Sequence, residues 1–415
     1  MKRWQKWLLA GGLAAAGGLL GFCGWLRAYL PDSYTLEVGG ALTFAQTPYV
    51  HVQPTGGNAV TRAADAAAGT GAHSMQLRLF GILPLKTVWV REEPRNEVQV
   101  SGAPFGVKLF SDGVMVVGFS DIYTATGYQN PAKSAGLHMG DAIHSVNGEN
   151  VATNEDIQRL VESSQGRPVS VTYSRKGEES TVFVTPVQSA AGGAYRVGMR
   201  VRDSSAGIGT LTYYDPQTGG FAGLGHPVTD VDTGESIEVR SGQIVSVTVT
   251  GTVPSSVGSP GELKGILSAQ TAGDILQNDQ TGIFGLLRAD GAQQFAGQAF
   301  PVAARQEVCV GEATMYTCLE GSTPQAYRVV IERIRYNEAA PNKNMIVRME
   351  DPTLLEKTGG IVQGMSGSPI VQNGRLVGAV THVLVNDPTR GYAVFAENML
   401  EAQQQSAQLS AQTAA

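Results

Sequence analysis

The run Gly364-Met365-Ser366-Gly367-Ser368-Pro369 sets a serine between two glycines ahead of a proline. Glycine reaches backbone conformations closed to residues with a Cβ, so the amides of Gly364 and Ser366 can converge on one oxyanion. That is the equipment for acyl transfer through a serine nucleophile. A serine hydroxyl attacks only when a base takes its proton, and that base needs an acceptor to fix its tautomer. The sequence has six histidines. His51 and His73 lie outside the stretch that carries the serine, and His138 and His144 belong to a separate module, which leaves His226 and His382. His226 stands in the glycine-flanked loop Phe221-Ala222-Gly223-Leu224-Gly225-His226-Pro227, where a side chain can reach a cleft, and is the expected base. His382, on an apolar run after the serine, is expected to be cleft wall. For the orienting carboxylate, Asp274, Asp279, Asp290 and Asp351 all lie between His226 and Ser366, and spacing selects none of them; Asp230 and Asp232 stand too near His226 for order to decide.

The elements that must hold these residues are strands. Pro369–Val371 and Leu376–Val380 about Asn373-Gly374 read as a hairpin fed by the serine turn, which resembles the way chymotrypsin-like barrels present their nucleophile. Glycine makes up 52 of 415 residues, nearly twice the usual ~7%, which favours turns and β structure over helical bundles. Strands are expected at 195–201, 209–214, 244–250, 327–334 and 345–349. With 30 basic and 36 acidic residues and no basic run past the N-terminus, nothing points to nucleic acid. No C-x-x-C or H-E-x-x-H motif suggests a metal, and no cofactor is expected. Cys309 and Cys318 could face each other across a hairpin as a disulfide.

The length allows two or three domains. Lys2, Arg3 and Lys6 precede an uncharged run from Trp7 to Leu26, so residues 1–30 read as an uncleaved transmembrane anchor, a cleaved signal segment being the competing reading, with the remainder outside the cytoplasm. Residues 31–100 read as a small β module with a mobile loop at 54–73, and 401–415 as a disordered tail. Between them, 101–189 resembles a PDZ domain. Its signals are Pro104-Phe105-Gly106-Val107, Ala135-Gly136-Leu137, Gly140-Asp141-Ala142-Ile143 and Val146-Asn147-Gly148, then a helix capped by Asn154 with Ile157, Leu160 and Val161 on one face. The resemblance implies that a peptide, from a partner or from the chain itself, adds a strand beside 107–110 with its carboxylate at the Pro104–Val107 loop. Residues 190–400 form the expected peptidase domain, making the chain mainly β: anchor helix, small β module, PDZ domain and a divergent chymotrypsin-like β-barrel.

GLGHPVTDVDTG at 223–234, TYYDPQTGGF at 212–221, DPTLLEKTGGIVQGMSGSPI at 351–370 and LVGAVTHVLVNDPTRGY at 376–392 together resemble the SpoIVB peptidase family of sporulation serine peptidases. By matching motif, the resemblance implies His226 as base, Asp351 as its acid and Ser366 as nucleophile. It further implies a protein that processes itself between the two membranes around a forespore. There it would clip a membrane-associated regulator of an intramembrane metalloprotease, leading to sigma-factor activation. The competing class is a PDZ adaptor whose protease domain no longer cleaves.

Overall fold

The computed structural model describes residues 3–44, 47–54, 72–175, 177–230, 232–234, 239–336 and 339–413. Most of the expected loop at 54–73 lies outside the described residues. The uncharged N-terminal run does form a helix, Arg3–Tyr29. Among the described residues no helix is long and apolar enough to cross a membrane. The end of this helix packs onto the small β module, where Leu26 and Leu30 join the core of a four-stranded sheet ordered Ser33–Glu37, Leu83–Glu93, His73–Leu79, Val50–Pro54.

The larger part of the chain folds as two barrels. The second is contiguous in sequence and closes through Gly311–Thr317, Gln325–Ile334, Met345–Met349, Asp387–Phe395, Arg375–Leu384 and Pro369–Gln372. Its interior is apolar throughout, with Met315, Val329, Ile331, Val347, Ile370 and Val380 fully buried. The expected hairpin is here: Gln372 pairs with Arg375 across Asn373 and Gly374, both at positive φ as a tight two-residue turn requires.

The first barrel is split along the chain. In the strand Pro104–Phe119, residues 104–110 pair with 204–210 of Met199–Tyr214 on one edge and 105–111 pair with 239–246 of Val239–Val253 on the other. Val239–Val253 pairs with Glu262–Asp279, then come Gly282–Leu287 and Gly220–Gly223, which returns to Met199–Tyr214 and closes the ring. The peptidase domain expected at 190–400 therefore takes part of its first barrel from residues before the PDZ domain, and the PDZ domain is an insertion within that barrel.

The PDZ core is as its sequence implied: Val114, Val116, Ile143, Ile157, Leu160, Val161 and Val171 pack together. Its helix Asn154–Ser163 starts one residue earlier than expected, with Thr153 as the cap in a reciprocal box with Asp156. One question left open is answered and one expectation is corrected. Cys309 and Cys318 are both free thiols, because they flank a single strand, Gly311–Thr317, whose length holds them roughly 20 Å apart. The chain end is a helix, Ala396–Thr413, docked through buried Met399, Ala402, Gln403 and Ser406.

Candidate active site

The cleft between the barrels, of about 750 Å³, brings together Ser366 and Gly364 from the second barrel's entry turn, His226 from the first barrel, and His382 and Thr381 from Arg375–Leu384. The serine turn is shaped by contacts that leave no room for side chains. Gly367 sits at φ 93°, and a Cβ there would lie 1.9 Å from the Thr210 carbonyl oxygen and 2.5 Å from the Leu224 nitrogen. The other barrel also fixes the turn through hydrogen bonds. The Thr210 amide donates to the Ser366 carbonyl at 2.9 Å, Thr210 Oγ1 to the Gly364 carbonyl at 2.8 Å, and Thr212 Oγ1 to the Gly367 carbonyl at 2.8 Å. The amides of Gly364 and Ser366 donate to no partner among the described residues, so both remain available to a developing oxyanion. Ser366 Oγ donates to the Thr381 carbonyl at 2.7 Å, and must turn from it to engage a base. Ser368 is fully buried and cannot meet a substrate.

His226 follows Gly220–Gly223 through two residues in the left-handed region, Leu224 at φ 65° and Gly225 at φ 69°. For leucine this conformation costs on the order of 1–3 kcal/mol, strain of the kind that collects at functional sites. His226 Nδ1 lies 2.8 Å from the Pro227 carbonyl. A carbonyl only accepts, so Nδ1 carries the proton and Nε2 presents a lone pair, the tautomer a general base needs. Burial lowers the His226 pKa below the usual histidine value, partly offset by this hydrogen bond, and the ring is neutral at neutral pH.

Among the described residues Asp351 makes no hydrogen bond to His226, whose Nδ1 faces the Pro227 carbonyl. Its carboxylate caps the helix Pro352–Thr358, accepting from the amides of Thr353 at 3.0 Å and Leu354 at 3.2 Å, and it is not among the described residues that line the cleft. The D-P-T start that carried the family correspondence is also a strong helix N-terminus, with a capping aspartate and a proline in the first turn. Two of the other candidate carboxylates are engaged elsewhere. Asp274 pairs with Arg288 on the surface, and buried Asp230 is held by Arg202 and the amides of Asp232 and Thr233.

Pro104, Phe105, Gly106 and Val107 are buried between two paired strands, so this stretch has no free edge to which a peptide can add. The edge of the PDZ sheet next to the helix is also filled, by the chain itself. Met199–Arg202 pairs with 115–119, the Asn154 amide donates to Asp203 at 3.1 Å, and Tyr195 packs against Gly166. Sequence reasoning missed this cis strand. The alternation of Tyr195–Val201 showed a strand but not its partner.

Two barrels facing across a cleft, one giving a serine turn and the other a histidine, with a PDZ domain set into the first, make this a PDZ-containing serine peptidase. The comparisons with known proteins agree. The family model described as SpoIVB peptidase S55 matches residues 193–400, half of the chain, and a PDZ model matches 111–185. The chain belongs to the SpoIVB peptidase S55 family.

Among curated proteins it is 34% identical over 101 residues to the putative zinc metalloprotease LL2128 of Lactococcus lactis, covering 24% of this chain and 22% of that one. It is 34% identical over 58 residues to the zinc metalloprotease RasP of Geobacillus kaustophilus, covering 14% of each. The chain thus spans less than a quarter of these relatives. Among solved structures it is similar to the HtrA-type protease AlgW with decapeptide, at 10% identity and TM-score 0.29, over 51% of this chain and 54% of that one. A PDZ domain of an SdrC-like protein from Listeria monocytogenes matches at 20% identity and TM-score 0.19, over 22% of this chain and 90% of that one.

Proposed function

We propose that this peptidase is an endopeptidase in which Ser366 attacks, His226 Nε2 takes and returns the proton, and the Gly364 and Ser366 amides hold the oxyanion. The carrying observation is that the serine, the histidine in its basic tautomer and two unengaged amides share one cleft. The Pro227 carbonyl does part of the work of an orienting carboxylate, since it fixes the tautomer without adding a negative charge. The substrate is a protein segment, and the cleft wall formed by 204–208 gives it a strand to lie against.

Family membership supports a finer reading. The peptidase works outside the cytoplasm in sporulation signalling, processes itself, and cuts a membrane-associated regulator of an intramembrane metalloprotease. The uncharged run from Trp7 to Leu26 supports tethering at the membrane by the N-terminal helix. The test is labelling of the full chain with a fluorophosphonate. Wild type and Ser366→Gly are compared with Ser368→Gly as control, and the cut sites of the wild type acting on its own chain are mapped. Label on wild type and on Ser368→Gly but not on Ser366→Gly is expected. Label that persists in Ser366→Gly sinks the assignment.

A further inference from the structure

The side chains that the cleft accepts follow from what borders the serine turn. A carbonyl held between Ser366 Oγ and the amides of Gly364 and Ser366 sets its own residue's side chain between two segments, 361–364 leading into the turn and 381–385 beyond it. Ile361 and Val362 line the cleft on one side, and Val383 and Val385, alternate residues of the other segment, line it on the other. The two segments contain no Asp, Glu, Lys or Arg. They are also fixed in place. The Ile361 amide donates to the Pro388 carbonyl and the Gln363 amide to the Gly261 carbonyl, each at 2.8 Å, and the Gln363 carbonyl accepts from the Leu263 amide at 2.8 Å. Val383 pairs with Gly391 across the strands. A Cβ on Gly391 would lie 2.4 Å from Ile361 Cδ1 and 2.6 Å from the His382 carbonyl oxygen. The tip of Ile361 therefore fills the room that Gly391 leaves and ends against the strand that carries Val383. Ile361 is only 3% exposed, so it is the floor of this part of the cleft rather than its rim.

We propose that these residues form a shallow pocket for the side chain of the residue whose carbonyl Ser366 attacks, that the pocket selects alanine and valine, and that Ile361 sets its depth. The inference rests on the Ser366–His226 reading above. Ile361 and Val362 belong to the core of the second barrel and Val383 packs against it, so the floor recedes for a longer side chain only if a close-packed interior is rearranged. A charged side chain would exchange water for the aliphatic surfaces of Ile361, Val362 and Val383, a costly transfer. Each methylene that fits or fails to fit such a pocket is worth about 10–200-fold in discrimination between substrates. The substrates are thus protein segments that present a small aliphatic residue before the bond to be cut, and Ile361 determines specificity without taking part in the chemistry.

The experiment is digestion of a mixture of random-sequence synthetic peptides by the full chain, with the cut bonds identified by mass spectrometry and Ser366→Ala as the blank. Wild type is compared with Ile361→Val and Ile361→Ala, and circular dichroism confirms folding. Ile361→Val removes only the Cδ1 methyl beside Gly391, so it decides the matter even if alanine unfolds the core. We expect wild type to cut after alanine and valine, with leucine and phenylalanine at least about tenfold less frequent and charged residues rarer still. Ile361→Val should raise leucine and methionine several-fold relative to alanine, and Ile361→Ala by about tenfold or more. A wild type that prefers leucine, phenylalanine or a charged residue overturns the pocket and leaves the serine reading standing. An unchanged profile in folded Ile361→Val overturns the proposal as well, since Ile361 would not set the depth. Equal cutting by wild type and Ser366→Ala, or none by wild type, removes the serine reading itself and the pocket with it.

Discussion

The two barrels solve the same structural problem in different ways. The second is built from consecutive strands and would close without help, while the first is interrupted by a whole domain and closes only when 104–110 meets 204–210. The first nevertheless sets the geometry of the nucleophile, which belongs to the second. Thr210 and Thr212, both buried, hold the carbonyls of Gly364, Ser366 and Gly367, and the carbonyl of Thr210 fills the space where a Cβ of Gly367 would go. An active site divided between barrels is thus a site whose two halves shape each other.

The most direct way to break that dependence is Gly367→Ala. A Cβ 1.9 Å from a backbone oxygen at φ 93° forces the barrels apart, so activity should fall to background and stability by several kcal/mol, measured by hydrolysis and by urea unfolding. Thr210→Val is milder. It removes one hydroxyl from a buried bond and leaves the Gly364 carbonyl unsatisfied, which should cost about 1–3 kcal/mol in stability. The acylation rate should fall further than for Thr314→Val, a second-barrel threonine that pairs with Val371 and makes no hydrogen bond to the turn.

A pH titration of stability compares the two histidines. Both are depressed in the folded state, His382 to about 4, so the unfolded chain binds protons first as the pH drops below about 6.5. Stability from these two groups is full above that value and is lost between about 6.5 and 4. Urea midpoints should decline across that window, and the decline should shrink in His382→Leu.

Asp351→Asn sharpens the assignment of the acid. Asparagine caps a helix nearly as well as aspartate, so the fold should hold and hydrolysis should change less than about tenfold. A loss matching that of His226→Ala in a folded protein would mean that Asp351 reaches the imidazole during turnover. Asp274→Asn should do least, within about 0.5 kcal/mol and twofold in rate, because its partner Arg288 is a half-exposed surface residue.

What the sequence made legible follows from how local each signal is. The hairpin about Asn373-Gly374, the helix from Asn154 and the strands at 327–334 and 345–349 rest on neighbours in the chain, and they stand where expected. The serine and histidine loops were marked by glycines that only a tight approach explains. Partnership was not legible. Val107–Phe110 reads equally well as the rim of a peptide groove or as a barrel strand, and only Ile244 and Gly207, far along the chain, decide. Asp351 stayed ambiguous for a related reason, since one short motif can start a helix and serve a base, and composition cannot tell which side its carboxylate faces.

The split barrel also bears on how the chain reaches this structure. Phe110 and Ser204 must pair, and closing a flexible loop of that length costs on the order of 4 kcal/mol. The PDZ domain lies between them and has its own core, so it can collapse first, and its finished form delivers both ends of the loop side by side as one paired ribbon. The inserted domain then serves as the clamp from which the first barrel grows, and the second barrel, synthesised last, docks its serine turn onto a surface already in place.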